Sequence, residues 1–201
     1  SDKISPAKAP WLQTQMDTPV DSDQVRIMWQ WIALNLEEPG FCAIAPKHYL
    51  ADPRKVERAF DRLGEIERAQ TTPHCIVLGD CHQGNTYILP SGERLWLDWQ
   101  LVRRGRPWRD LTYFVIGALS IEERRHHHKD MVKQYREYLI ATGAQGVPSF
   151  EEAWEQTRLW VMYGIQAWVA NLDAWGQNGI PMNERFFVAG EDYGTWQLLG
   201  E

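Results

Sequence analysis

Cys75-Ile76-Val77-Leu78-Gly79-Asp80-Cys81-His82-Gln83-Gly84-Asn85, followed by Leu95-Trp96-Leu97-Asp98-Trp99-Gln100, is the stretch on which the reading of this chain turns. An apolar run ends at Gly-Asp, an Asn follows five residues later, and a second apolar run ends at another Asp. Asp80, Asn85 and Asp98 therefore fall where hydrophobic segments stop and loops begin. There, rigid elements can hold polar side chains at the rim of a cleft. Phosphoryl transfer needs such a set: one carboxylate to orient a hydroxyl, and an amide oxygen with a second carboxylate to hold Mg²⁺.

The flanking pattern predicts how these residues meet. Cys75–Leu78 reads as a short buried strand, and Thr86–Leu89 and Glu93–Leu97 as two strands joined by Pro90-Ser91-Gly92. A hairpin of that register starts at Asn85 and ends at Asp98, so both side chains emerge at one end of the ribbon as ligands for a divalent ion. Each residue also has a plainer reading. Asp80 could be a turn residue, Asn85 could stabilise a bend after Gly84, and Asp98 could cap a strand end. The three at these spacings favour chemistry.

Gly79-Asp80-x-His82-x-x-Asn85, then Leu97-Asp98-Trp99-Gln100, then Arg109-Asp110-Leu111-x-Tyr113-Phe114, resembles the aminoglycoside phosphotransferase/choline kinase-like family, small-molecule relatives of the protein kinases. The similarity is specific from about residue 74 to 116. The family's usual motif is His-Gly-Asp, and Leu78 stands in place of that His. The resemblance implies Asp80 as catalytic carboxylate and Asn85 and Asp98 as Mg²⁺ ligands. It places His82 and Gln100 on the cofactor side, His82 as a brace of the loop and Gln100 behind the metal ligands. Asp110 corresponds to the family's structural Asp, which accepts hydrogen bonds from the loop backbone; a helix N-cap is its plainer reading. ATP or GTP with Mg²⁺ is the implied cofactor. Eleven residues separate Asp98 from Asp110 and no Ala-Pro-Glu follows, so the expected acceptor is a small hydroxylated molecule rather than a peptide.

The expected fold is α+β and mostly helical: a protein kinase-like C-terminal lobe whose short β-hairpin carries the catalytic loop and metal ligands. Only 79 residues precede Asp80, most of them read as helix, and they contain no G-x-G-x-x-G, no Walker motif and no V-A-I-K-type Lys. The expectation is a C-terminal lobe without its ATP-binding lobe. An apolar surface normally covered by that lobe would be exposed, and a homodimer is one way to hide it.

Outward from the motif, residues 1–20 read as an irregular, Pro-containing lead-in and 21–201 as one domain. Asp21-Ser22-Asp23 offers N-caps for a helix over 22–37 with Val25, Met28, Ile32 and Leu36 on one face. Glu38-Pro39-Gly40 ends it, and 41–50 stays ambiguous. Asp52-Pro53 starts a second helix lined by Val56, Phe60, Leu63 and Ile66. Residues 101–109 form a basic Gly/Pro-containing loop, in which Arg103-Arg104-x-Arg106 could meet phosphate but reads as solvated, and Arg109 reads as a surface or ion-pairing residue. Helices follow over 110–119, 122–140 and from a Ser149 cap onward, where Trp154, Val161, Ile165, Trp168, Val169 and Leu172 form an apolar face. A loop over 176–181 precedes a last helix. His126-His127-His128 points three ways on a helix and reads as a solvated face, not a metal site.

Composition narrows the classes. An apolar fraction of 44% suits a globular core, and a net charge of −6 without a basic tail argues against nucleic acid. No apolar run reaches the roughly 18 to 20 residues of a membrane span. Residues 1–10 lack the apolar centre of a secretion signal. Three cysteines, Cys42, Cys75 and Cys81, without C-x-x-C spacing suit a reducing cytoplasm rather than a disulfide framework. Cys81 has no visible His/Asn partnership, which excludes thiol catalysis. Eleven Trp point either to a core of large residues or to an aromatic-lined cleft. Two other functions compete with phosphotransfer: a non-catalytic binding or scaffold protein built on a kinase-like lobe, and a metal-dependent hydrolase using the same carboxylates.

Overall fold

The computed structural model describes residues 4–17, 22–170 and 179–201. The fold is α+β and mostly helical, with two small antiparallel sheets. Its elements are α1 (Ser22–Asn35), α2 (Pro39–Ile44), α3 (Lys47–Ala51), α4 (Lys55–Ala69), β1 (Cys75–Val77), β2 (Thr86–Ile88), β3 (Arg94–Trp96), β4 (Arg103–Gly105), α5 (Pro107–Ala118), α6 (Ile121–Ala141), α7 (Phe150–Val169), α8 (Gly179–Tyr193) and α9 (Thr195–Leu198). The chain divides into two compact units: one of residues 1–18 and 70–157, the other of residues 19–69 and 158–201.

The second unit is helical. Its core gathers Ile32, Phe41, Tyr49, Val56, Leu63 and Phe186. Gly164 lets the Phe186 ring lie flat against α7, since a Cβ there would come within 2.0 Å of the ring. Residues 38–51 resolve the ambiguity of the sequence. Glu38-Pro39-Gly40 ends one helix and also begins the next: the Glu38 carboxylate accepts the Gly40 N–H at 3.2 Å, and Pro39 occupies the first turn of α2. Pro46 then opens α3. Asp52 holds the bend into α4 by accepting the Arg54 N–H at 3.2 Å, and Arg58 clamps Asp52 and Glu201 together. The helix therefore starts at Lys55, two residues later than Asp52-Pro53 suggests. The side chain of Val25, and Leu172 with residues 176–178, lie outside the described residues; residues 179–181, expected as loop, are already the first turn of α8.

The first unit carries the sheets. The β2–β3 hairpin has the expected register, with Thr86 opposite Trp96, Tyr87 opposite Leu95 and Ile88 opposite Arg94. The partner of β1 is a strand the sequence does not announce. Arg103-Arg104-Gly105 pairs antiparallel with Cys75–Val77, although its residues show no apolar alternation. Gly105 lies against Val77, whose Cγ2 would be 3.1 Å from a Cβ there. The lead-in is irregular but packed. Leu12 is buried, Thr14 bridges Arg104, and the Arg104 N–H donates to Gln13 O at 3.0 Å. Arg104 and Arg106 are buried, so that part of the basic segment is interior rather than a solvated loop, and Arg109 is buried and paired with Asp110. Burial of Arg106 is matched by donation to Thr72 Oγ1 and, at 2.9 Å, to Gln70 O.

Two long helices begin at Ser caps. Ser120 and Glu123 form a capping box at α6, and Ser149 and Glu152 form another at α7. The His triplet is a solvated face at His126 and His127 but not at His128. His126 is exposed and contacts Glu122 O at 2.8 Å, whereas His128 is buried edge-on to Trp154, with ring centroids 5.7 Å apart. Burial, with Arg124 adding to it, depresses the His128 pKa from 6.5 to about 3. As pH falls below 6.5 the unfolded chain takes up a proton that the folded chain refuses. The folded state should therefore lose about 2 kcal/mol between pH 7 and pH 5 through this residue. Denaturant titrations at the two pH values should show His128→Phe with a correspondingly smaller pH-dependent loss; an unchanged slope would place the effect elsewhere.

Candidate functional site

The loop between β1 and β2 is held from below by two consecutive residues of α5. Asp110 Oδ2 accepts the Leu78 N–H at 2.6 Å and the Gly79 N–H at 3.5 Å, while its Oδ1 receives Arg109 Nη1 at 2.6 Å. Arg109 Nη2 reaches Gly79 O at 2.8 Å and Gln15 Oε1 at 3.3 Å. The carbonyl and N–H of Gly79 are thus gripped from the same side. Arg109 is 2% exposed, and the adjacent carboxylate and the carbonyl offset much of the cost of dehydrating it. Position 78 enters this brace through its backbone N–H, and the buried Leu78 side chain packs beside the loop.

Gly79 is required by the geometry. Its φ is +93°, and a Cβ would stand 2.0 Å from Leu101 O. The next residue, Asp80, is left half-buried, its carboxylate 3.8 Å from His82 Nε2. His82 in turn caps the turn Gln83–Asn85, its Nδ1 accepting the Gly84 N–H at 3.1 Å. Asn85 Nδ2 donates to Asp80 O at 2.8 Å, which closes the loop into a ring of short contacts.

Across the hairpin foot, Leu97 N–H donates to Asn85 O at 2.8 Å, so Asp98 follows directly on the residue opposite Asn85. Asp98 is exposed and has φ +55° and ψ +69°, the left-handed region, alone among non-glycine described residues. Its Oδ2 accepts Gln100 Nε2 at 3.3 Å. The structure thus links Asp80 directly to His82 and Asn85, holds their loop through the bonds of Asp110 to the Leu78 and Gly79 N–H groups, and sets the Asp98–Gln100 pair at the other foot of the hairpin. Sequence reasoning undervalued Arg109 and Gly79. The Arg-Asp pair ahead of an apolar helix was the available signal for the first, and the close approach of Leu101 left none for the second.

Cys81, beside Asp80, is buried and donates to Asp110 O at 3.1 Å; burial, with Asp110 next, pushes its thiol well above the ordinary range. It is inert as a nucleophile at neutral pH. A cavity of about 490 Å³ lies beside the loop, walled by Leu78, Trp96, Trp99, Phe114 and Tyr135 with Asp110 at its edge. Trp96 meets Phe114 edge-on at 5.2 Å and anchors that face of the hairpin on α5. The opposite face is exposed and apolar: Tyr87 pairs with Leu95, and Leu97 follows opposite Asn85. Among the described residues no three His, Cys, Asp or Glu side chains group as a metal site, and no helix is long and apolar enough to cross a membrane.

A family model described as "Uncharacterized oxidoreductase dhs-27" matches residues 74–163, fewer than half of the 201 residues but including the whole loop, hairpin and brace. No curated protein and no solved structure matches the chain.

The brace is testable apart from any activity. Asp110→Ala leaves the Arg109 guanidinium buried without its carboxylate and should cost about 3 kcal/mol in chemical denaturation. Gly79→Ala should cost at least about 2 kcal/mol, from the positive φ and the clash with Leu101 O. Wild-type midpoints in either variant would show that the loop is not held in this way.

Proposed function

We propose that this chain carries the catalytic loop of a small-molecule O-phosphotransferase of the aminoglycoside phosphotransferase/choline kinase-like kind, with a protein kinase-like C-terminal lobe as its architecture. The observation that carries the reading is the division of labour at Gly79–Asn85. Asp110 and Arg109 bind the loop's backbone, while the Asp80 carboxylate, the residue the reaction needs, is left accessible.

Asp80 would orient the acceptor's hydroxyl and take its proton as the oxygen attacks the γ-phosphate of ATP or GTP. His82, 3.8 Å away, steadies that carboxylate. Asn85 and Asp98 suit Mg²⁺. The Asn85 amide spends its nitrogen on Asp80 O and so has its oxygen to offer, and the Asp98 carboxylate is exposed with one oxygen steadied by Gln100. Mg²⁺ held there would neutralise charge on the transferred phosphoryl group. The residues' own contribution is positioning and preorganised charge rather than covalent chemistry. The acceptor is a small hydroxylated molecule. A cytoplasmic location fits three free cysteines.

One observation favours a second reading, a non-catalytic binding or scaffold protein. The exposed Tyr87–Leu95–Leu97 face is the kind of apolar surface that partners cover, a second copy of this chain among them. The oxidoreductase in the matched family's description supplies a third outcome for the same experiment.

Transfer of labelled phosphate from ATP or GTP to aminoglycosides, choline and simple sugars, by the chain alone and within any longer polypeptide that bears it, decides among them. Asp80→Asn should lower transfer about 10²- to 10⁴-fold, and Asp98→Asn should abolish the Mg²⁺-dependent part of the ATP thermal shift. Equal transfer rates in Asp80→Asn and wild type would remove Asp80 from the chemistry. Absence of any shift at millimolar ATP favours the binding protein, and turnover of a reduced nicotinamide without phosphate transfer favours the oxidoreductase.

A further inference from the structure

Arg104 differs from Arg109. It is 9% exposed, it donates from Nη1 to Ile4 O at 3.1 Å, and it forms no ion pair among the described residues. Arg109, comparably buried, has a carboxylate 2.6 Å away. Withdrawing a guanidinium from water costs several kcal/mol, which one neutral carbonyl does not offset. A buried cation without a counter-charge marks a place where an anion gains from binding.

Arg104 faces such a place. It lines a pocket of about 270 Å³ with Ser5, Thr14 and His74. Ile4, Pro73 and His74 line this pocket and also a second, larger one of about 700 Å³. The walls of the larger cavity are apolar: Ile76, Pro107, Trp108, Leu139 and Val147, with Cys75 among them. Its size lies within the range of small-molecule sites, which run to roughly 300–1,000 Å³. Gly146, at φ +67°, brings the α6–α7 loop so close to Pro73 that a Cβ would stand 2.7 Å from the ring. That contact seats the loop on the cavity rim. The assembly sits at the start of β1, whereas the Gly79–Asn85 loop leaves its other end.

We infer that the joined pockets at the start of β1 form a binding site for an amphipathic monocarboxylate, its apolar body in the large cavity and its carboxylate on Arg104. Arg106 also lines the larger cavity but is engaged by Thr72 Oγ1 and Gln70 O, so Arg104 is the cation offered to a ligand, and one charge favours a carboxylate over a phosphate dianion. The apolar walls select a hydrocarbon or aromatic body over a sugar or nucleotide.

Decanoate, decanol and decyl phosphate are suitable probes, titrated calorimetrically into the full chain. In parallel, iodoacetamide labelling is read by peptide mass mapping at alkaline pH, because burial raises the Cys75 thiol to about 11. Decanoate should bind about tenfold more tightly than decanol, the worth of one charged hydrogen-bonded contact. Saturating decanoate should slow Cys75 labelling severalfold and leave Cys42 unchanged. Arg104→Gln should bring decanoate down to the affinity of decanol, while Arg104→Lys, which keeps the charge, should retain a preference for the acid. Equal affinities of acid and alcohol in the wild-type chain, binding of neither, or unprotected Cys75 would overturn the site. Tighter binding of decyl phosphate than of decanoate would overturn its assignment to carboxylates.

Discussion

Everything around the candidate site depends on one charge pair, the buried Arg109 with the half-buried Asp110. The pair is expensive in isolation, since both groups give up water, and it is sustained because neither ion is spent on the other alone. Asp110 has a second oxygen for the N–H groups of Leu78 and Gly79, and Arg109 has a second nitrogen for Gly79 O and Gln15. Two adjacent residues on the first turn of α5 thereby fix the exit of β1, the sharp turn at Gly79 and the end of the lead-in. Because one end of the loop is anchored in this way, the polar side chains that follow need only short, local contacts to hold their places. His82 supports the 83–85 turn and Asn85 closes back on Asp80.

The parts of this arrangement that can be read in the sequence are those with a local signature. The hairpin shows in its two short apolar runs and its Pro-Ser-Gly turn, the long helix α7 in its Ser149 cap, and Asp80, Asn85 and Asp98 in their positions at the ends of apolar runs. The parts that cannot be read are those created by long-range pairing. Strand β4 is written Arg-Arg-Gly, with no period of two, and it is a strand because β1 and Thr14 lie on either side of it. The same pairing carries Arg104 into the interior, contrary to the ordinary expectation for a basic loop. The His triplet shows the same limit on a smaller scale. Helical geometry separates the three rings, but only the position of Trp154 determines which of them is buried.

The two faces of the β2–β3 hairpin behave differently for a related reason. One is fastened by Trp96 against Phe114, and the other presents Tyr87, Leu95 and Leu97 to solvent beside the loop. A two-stranded ribbon is marginal by itself, and here the Trp96 anchor and the Leu97–Asn85 hydrogen bond supply what a third strand would otherwise contribute. The hairpin can therefore hold Asn85 and Asp98 at its foot while keeping an apolar surface uncovered.

Asp98 carries a backbone conformation that glycine would adopt at no cost and that an aspartate adopts at about 1–2 kcal/mol. A substitution chosen for stability alone would therefore place Gly at this position. Directed evolution under heat, or a consensus design that rewards relaxed torsions, would be drawn to Asp98→Gly and would discard the carboxylate with the strain. Residue 98 is thus a point where relaxing the backbone and keeping a carboxylate pull in opposite directions.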